Sequence, residues 1–148
     1  IDPTAQSTTP EFVPGSLGAV TDSNGTKIYK YLKYDDGTAA VDGVAGEVAY
    51  YYTLDGYKNH VCSSDLSDSV EIGAGVIQAN IATETYGWFQ IKGAATLTIG
   101  LTAGADGDPL TPTGSADGTL DVSSAATDNV CAIAGDISDK EIICDFPF

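Results

Sequence analysis

The chain has 148 residues, 43% hydrophobic and 18% charged, with 21 acids against six bases, all of them lysine, for a net charge of −15. That length suits one domain with its own core. The charge excludes nucleic acid and anionic membrane as partners: the field repels phosphate, no arginine offers a bidentate fork, and no apolar run approaches the ~20 residues that span a bilayer.

The sequence opens on Ile1, holds no methionine and shows no basic-then-apolar leader, which points to a start or a cleavage upstream. Residues Ile1 to Val20 carry Pro3, Pro10 and Pro14 among Thr, Ser and Ala. Proline fixes φ and removes a donor, so the segment reads as an extended arm that lies along a neighbouring subunit and orders on binding. Residues 21–148 read as a single β domain, with 21–60 as an aromatic-rich subregion.

After the Asn24-Gly25 turn, Lys27 to Tyr34 predicts a strand with Ile28, Leu32 and Tyr34 on one face and Tyr29 and Tyr31 on the other. Three of the six lysines lie here, which suits an edge strand guarded against unwanted pairing. A second aromatic strand, Glu47 to Leu54, contains Tyr50-Tyr51-Tyr52, whose rings must point to both faces. Either both faces are covered or one is an interface, where tyrosine is favoured. Next come Gly75 to Ile81, Tyr86 to Gly93 and Ala94 to Ile99, the last with Ala95, Leu97 and Ile99 inward. Phe89 and Ile91 share a face, which sets Trp88 beside Gln90 and Lys92 on the other. A large aromatic among polar neighbours favours a subunit contact for Trp88 over a core position.

Gly100 to Gly118 reads as a loop region, and Ser123 to Ala126 as one helical turn. The C-terminus reads as a hairpin of Val130 to Ala134 and Glu141 to Asp145. Pairing about Gly135 to Asp139 sets Cys131 opposite Cys144 and Ile133 opposite Ile142, all facing inward. The chain ends on Phe146-Pro147-Phe148, aromatics that pack home or dock on a partner. No glycine- and proline-free stretch shows a sustained helical apolar period, so the fold class is all-β, a compact barrel or sandwich of short strands with an extended N-terminal arm.

Catalytic chemistry finds few reagents. His60 is the lone histidine; it stands in a polar stretch and reads as a solvated surface residue. Cys62, two positions on, gives at most a Cys–His contact with no third residue to orient it. No serine stands in a nucleophile elbow. Cys62, Cys131 and Cys144 lack a framework spacing and read as buried thiols, with a Cys131–Cys144 bridge as the alternative. The acids of 106–121 (Asp106, Asp108, Asp117, Asp121) do not match a calcium loop and read as turn formers, with calcium the lesser reading. The expectation is no catalytic residue, no cofactor and no metal.

Tyr86-Gly87-Trp88-Phe89-Gln90-Ile91-Lys92-Gly93-Ala94-Ala95 resembles the aromatic-Gly-Trp-aliphatic-Gln strand, running into Gly and Ala, of the small decoration (cement) proteins of tailed bacteriophages. In that family a spacer, a Gly-Asp-Pro-Leu phrase, a Gly-rich turn and a final strand follow. Here Gly107-Asp108-Pro109-Leu110, Thr113-Gly114 and Val130 to Ala134 come in that order, and the resemblance spans Gly73 to Phe148. It implies a protein of the virion's outer capsid surface that binds the major capsid protein, often as a homotrimer, and stabilises the shell. The alternative is a glycan-binding or adhesive domain of a head fibre or other surface appendage. The expected interface residues are Tyr29, Tyr31, Tyr50, Tyr51, Tyr52, Trp88, Phe146 and Phe148.

Overall fold

The computed structural model describes residues 1–53 and 55–148. Strands hold 44% of the chain and helix 5%, so the fold is all-β as the sequence implies. In chain order the strands are β1 (Gln6–Ser7), β2 (Leu17–Asp22), β3 (Gly25–Tyr34), β4 (Val48–Tyr52), β5 (Val61–Ser63), β6 (Ser69–Ile77), β7 (Thr85–Thr96), β8 (Pro109–Thr111), β9 (Asp121–Val122), β10 (Ala132–Asp136) and β11 (Glu141–Asp145). A single helical turn, α1 (Gly56–Asn59), joins β4 to β5.

Five strands close a barrel, in the order β3-β5-β4-β6-β7 and back to β3. Only the β3–β5 pair is parallel. Closure pairs the ring on all sides, though briefly between β6 and β7, where only Val76 and Ile77 meet Gln90 and Phe89 and leave the edge of β7 free at Tyr86 and Gly87. Strand alternation sends Leu32, Tyr34, Ala49, Tyr51, Cys62, Ala74, Ile77 and Phe89 into the barrel, where with Ile81 they form one dry cluster. β7 is long enough to leave the barrel: Thr85 to Lys92 pair with β3, and Lys92 to Thr96 pair with β11. β11, β10, β8 and β9 continue that second sheet.

The second sheet encloses a second core. Val48 and Tyr50 alternate with the inward Ala49 and Tyr51, so they leave the barrel on its outside. There they meet Ile91, Leu110, Ala132, Ala134, Ile142, Cys144 and Phe146. A third cluster, Tyr29, Tyr31 and Trp88, lies on the opposite faces of β3 and β7. Tyrosine's polar tip tethers it at depth. The Tyr50 hydroxyl shares its one proton between the carbonyl oxygens of Ala116 (2.9 Å) and Thr119 and accepts from the Thr119 N–H (2.9 Å), fastening the long loop to the core.

Several sequence expectations are corrected by long-range pairing. β3 is no edge strand, because β2 and β5 flank one side and β7 the other. Two of its lysines are ion-paired instead, Lys27 with Asp22 (3.2 Å) and Lys33 with Glu84 (2.6 Å). The aromatic strand ends at Tyr52, and Leu54, expected at its end, lies outside the described residues. The two expected strands Tyr86 to Gly93 and Ala94 to Ile99 are joined through Gly93 as β7, which stops at Thr96, and Ile99 lies beyond its end, exposed rather than inward. Gly75 to Ile81 is the end of β6 plus a bridge from Ile81 to Gly43. Residues 123–126 are not helical; the Asp128 carboxylate accepts the N–H groups of Ser124 and Ala125 instead (both 2.9 Å). The C-terminal hairpin slips by one: Ala132 opposes Cys144 and Ile133 opposes Ile143, with a bulge between Ala134 and Asp136. The Asp136 carboxylate gathers the N–H groups of Ser138 (3.0 Å) and Asp139 (3.3 Å), so the turn is asymmetric. A one-residue slip exchanges the faces of a strand, and Ile133 therefore points out.

Candidate interaction surfaces

The expected arm does not stand free in this chain. β2 straddles its expected end at Val20 and pairs along β3 from Leu17 to Asp22. Residues 1–16 form a strap over the outside of β3 and β7. Gln6 and Ser7 pair with Gly87 and Tyr86 at the free edge of β7, and the Gln6 amide donates to the Asn80 carbonyl (2.7 Å). The chain then crosses the sheet. Phe12 packs edge-on against Tyr31 (centroids 5.3 Å, 73°) and tilted against Trp88 (5.1 Å, 59°). Tyr31 itself stacks on Tyr86 (6.0 Å, 16°) and leans on Trp88 (5.0 Å). The Tyr31 hydroxyl accepts the Glu11 N–H (3.2 Å), and its backbone exchanges bonds with Gly15 (2.7 Å) and Ser16 (2.9 Å). Ile1 reaches back to β2: a Cβ at Gly18 would stand 2.6 Å from Ile1 Cδ1, so glycine permits that approach.

Beside the strap, one mouth of the barrel is plugged by charge. Lys30 shares the inward face of β3 with Leu32 and Tyr34 and is 3% exposed. Its ammonium donates to the Tyr51 hydroxyl (2.9 Å) and sits over the rings of Tyr57 (4.9 Å) and Tyr51 (5.3 Å). Burial pushes the Lys30 amine below the usual lysine range and the Tyr51 hydroxyl well above the usual phenol range. His60 ends α1 in a left-handed conformation (φ 59°). It is not solvated as expected: its Nδ1 is buried without a hydrogen-bond partner, and its ring fills the space where a Cβ on Gly15 would be. Burial, and then the charge of Lys30, hold His60 below the usual imidazole range. The Cys62 thiol faces the Lys33 carbonyl (3.5 Å), not His60, because His60 precedes β5 on a left-handed turn that breaks the strand alternation.

The expected interface residues divide sharply. Tyr29, Tyr31, Tyr50, Tyr51, Trp88 and Phe146 are all buried within this chain, and none of them offers surface while the strap is seated. Alternation did send Trp88 away from the Phe89 face, but the strap covers that face, so polar neighbours in sequence did not mean a wet environment. Tyr52 is half-buried. Phe148 alone is exposed, at 56%; its carbonyl accepts the Tyr57 hydroxyl (2.7 Å), and its ring lies 4.7 Å from the Lys92 ammonium.

An apolar surface that sequence reading missed lies on the outer face of the second sheet. Ile133 (43% exposed) and Ile143 (51%) are cross-strand partners. Ala94 flanks Ile143 and Pro109 flanks Ile133, so an apolar row crosses β7, β11, β10 and β8. Acids border it: Asp145 and Glu141 on β11, and Asp136 and Asp139 in the hairpin turn. Among the described residues only Asp22, Glu84 and Asp145 meet a lysine ammonium, so this rim is almost unneutralised. The signal available in sequence was the spacing of small residues, since Ala132 and Ala134 fit the tight inner face and leave Ile133 between them outside.

The thiols of Cys62, Cys131 and Cys144 are unbridged and buried. Burial raises all three, Cys144 to about 12, which keeps them out of nucleophilic chemistry. Among the described residues no group of three or more His, Cys, Asp or Glu converges on a point. A polar cleft of about 520 Å³ opens where β6 parts from β7; the Gln78 and Gln90 amides, Asn24, Lys27 and Glu141 line it, and no aromatic ring does. Comparison with protein-family models, curated proteins and solved structures finds no match to this chain.

Proposed function

We propose that this chain is a capsid decoration protein, which binds the outer surface of a viral major capsid shell and stabilises it. The observation that carries the reading is the outward apolar row of Ile133 and Ile143, bordered by Asp136, Asp139 and Glu141, none of which meets a lysine ammonium among the described residues. An apolar row that runs without a break across four adjacent strands marks a candidate partner surface, where single exposed apolar residues do not. The acidic rim selects a basic-rimmed partner and repels both nucleic acid and other copies of the same face. A shell offers many identical sites, so modest contacts repeated over it suffice. The resemblance of Tyr86 to Ala95 and of the downstream Gly107-Asp108-Pro109-Leu110 to tailed-phage decoration proteins points the same way.

A second reading, a glycan-binding domain of a surface appendage, draws on the amide-lined cleft at Gln78 and Gln90. The cleft lacks the aromatic platform on which sugars stack, so decoration is favoured. The test is co-sedimentation of the purified chain with expanded major-capsid shells, beside binding to a glycan array. Saturable, stoichiometric binding to shells, lost in Ile133→Ser/Ile143→Ser at unchanged melting temperature, supports the proposal. Glycan binding without shell binding overturns it.

A further inference from the structure

We propose that residues 1–16 are an exchangeable strap: when copies of this chain associate, the strap of one seats its Phe12 on the Trp88–Tyr31 platform of another. The inference does not depend on what else the protein binds.

The strap's anchors all lie on the outside of β2, β3 and β7: the pairing of Gln6 and Ser7 with Gly87 and Tyr86, the ring of Phe12 on Tyr31 and Trp88, and Ile1 against Gly18. None passes through the barrel or either enclosed core. A second copy therefore offers the same pairing edge and the same aromatic platform, and exchange conserves every contact. The strap leaves the body at one place. Gly15 and Ser16 still bond to Tyr31 as an extension of β2, whereas Val13, before Pro14, is 77% exposed. Residues Val13 and Pro14 are thus the hinge. The hinge is a turn, closed by the Ser16 N–H on the Val13 carbonyl (3.0 Å) with Gly15 at φ 90°; opening it swings residues 1–13 off the body without breaking a bond between β2 and β3.

Composition supports a strap that survives release. Between Ile1 and Phe12 it is Pro, Thr, Ser, Ala and Gln with Asp2 and Glu11, so an open strap does not collapse on itself. The platform, by contrast, is three aromatic rings that need a cover.

The experiment places the double substitution Gln6→Cys/Gly87→Cys in the full chain. A Cβ on Gly87 would lie 3.6 Å from the Gln6 Cγ and no closer than 3.1 Å to any other atom, so both sites accept cysteine, and the three native thiols are buried. The chain is concentrated, oxidised under mild conditions and run on non-reducing gels. Mixing tagged Gln6→Cys with untagged Gly87→Cys single variants identifies cross-copy bonds. Reducible dimers and larger species, with tagged-to-untagged bonds in the mixture, are expected. Only internally bridged monomer at every concentration overturns the proposal. Free thiols throughout overturn it too, since the strap is then not seated on β7 at all.

Discussion

Phe12 lies 5.1 Å, centroid to centroid, from Trp88, across 76 positions of sequence, and closes the face that the strand alternation of β7 turns outward. The contact makes the lone tryptophan a buried residue by means of a segment whose composition predicts an extended arm. Trp88→Ala removes a ring packed among Tyr29 and Tyr31 and is expected to cost about 3–5 kcal/mol in urea unfolding. Phe12→Ala, at a half-exposed position, is expected to cost about 1 kcal/mol and to shift the Trp88 emission to the red. An unchanged emission maximum in Phe12→Ala would mean that the strap does not cover Trp88.

Where the strap ends decides what a truncation does. Removing residues 1–16 leaves β2 on β3, and the barrel is expected to fold with a lowered melting temperature. Removing residues 1–20 strips most of β2 as well and frees the edge of β3 from Lys27 to Lys30. The longer truncation is expected to aggregate or to melt well below the shorter one, because an unpaired, apolar strand edge is a template for association. Equal melting temperatures for the two would show that β2 adds nothing to the fold.

The fold class was legible because turn residues and β-branched or aromatic runs alternate at short range, and the inward faces of β3 and β7 followed from period-two alternation alone. The barrel's closure was not, since it depends on β3 pairing with β7, some sixty positions away. The candidate surface failed for a more local reason. Reading the β10–β11 turn as symmetric hid the bulge at Gly135, and one residue of slip put Ile133 inside and out of consideration. The aromatic residues were overvalued for the opposite reason. A ring is as useful in a covered sheet as at an interface, and nothing in Tyr50-Tyr51-Tyr52 says that β5 and β6 flank it while a second sheet covers its back.

Lys30 and Tyr51 form a buried pair, each the other's polar partner, and among the described residues no carboxylate meets the ammonium. Tyr51→Phe leaves a buried ammonium without its acceptor, and Lys30→Met leaves a buried hydroxyl without its donor; each is expected to lose about 1–3 kcal/mol. The double variant Lys30→Met/Tyr51→Phe removes both polar groups while keeping the volume, and it is expected to melt at or above the parent. Thermal melts of the three variants decide this. A double variant less stable than either single would mean that the charge at the barrel mouth is supported by something other than Tyr51.

His60 gives the fold a pH dependence whose sign follows from its surroundings. Its imidazole is held below the usual range by burial and by Lys30, so the folded state takes up a proton less readily than the unfolded chain. Stability is therefore full above the unfolded value of about 6.5 and declines as pH falls below it, levelling off once the folded imidazole is also protonated. The groups facing the ring are Gly15 of the strap, whose missing side chain the imidazole replaces, and the Lys30 ammonium; no carboxylate is among the causes that shift it. The carboxylates whose affinity for protons is lowered by hydrogen bonds, Asp2, Asp22, Asp68, Asp128 and Asp136, act in a lower window: their contribution is present above the ordinary value of 3.8 and is lost below it. Between about pH 5 and pH 7 the slope thus belongs to His60. His60→Asn keeps a side chain tolerant of the left-handed backbone and removes the titration. Melting temperatures across that range are expected to fall with acid in the parent and to stay flat in the variant, with faster exchange of the Gly15 amide at low pH in the parent only. A parent whose stability rises toward pH 5 would show that relief of the net negative charge outweighs the cost of protonating His60.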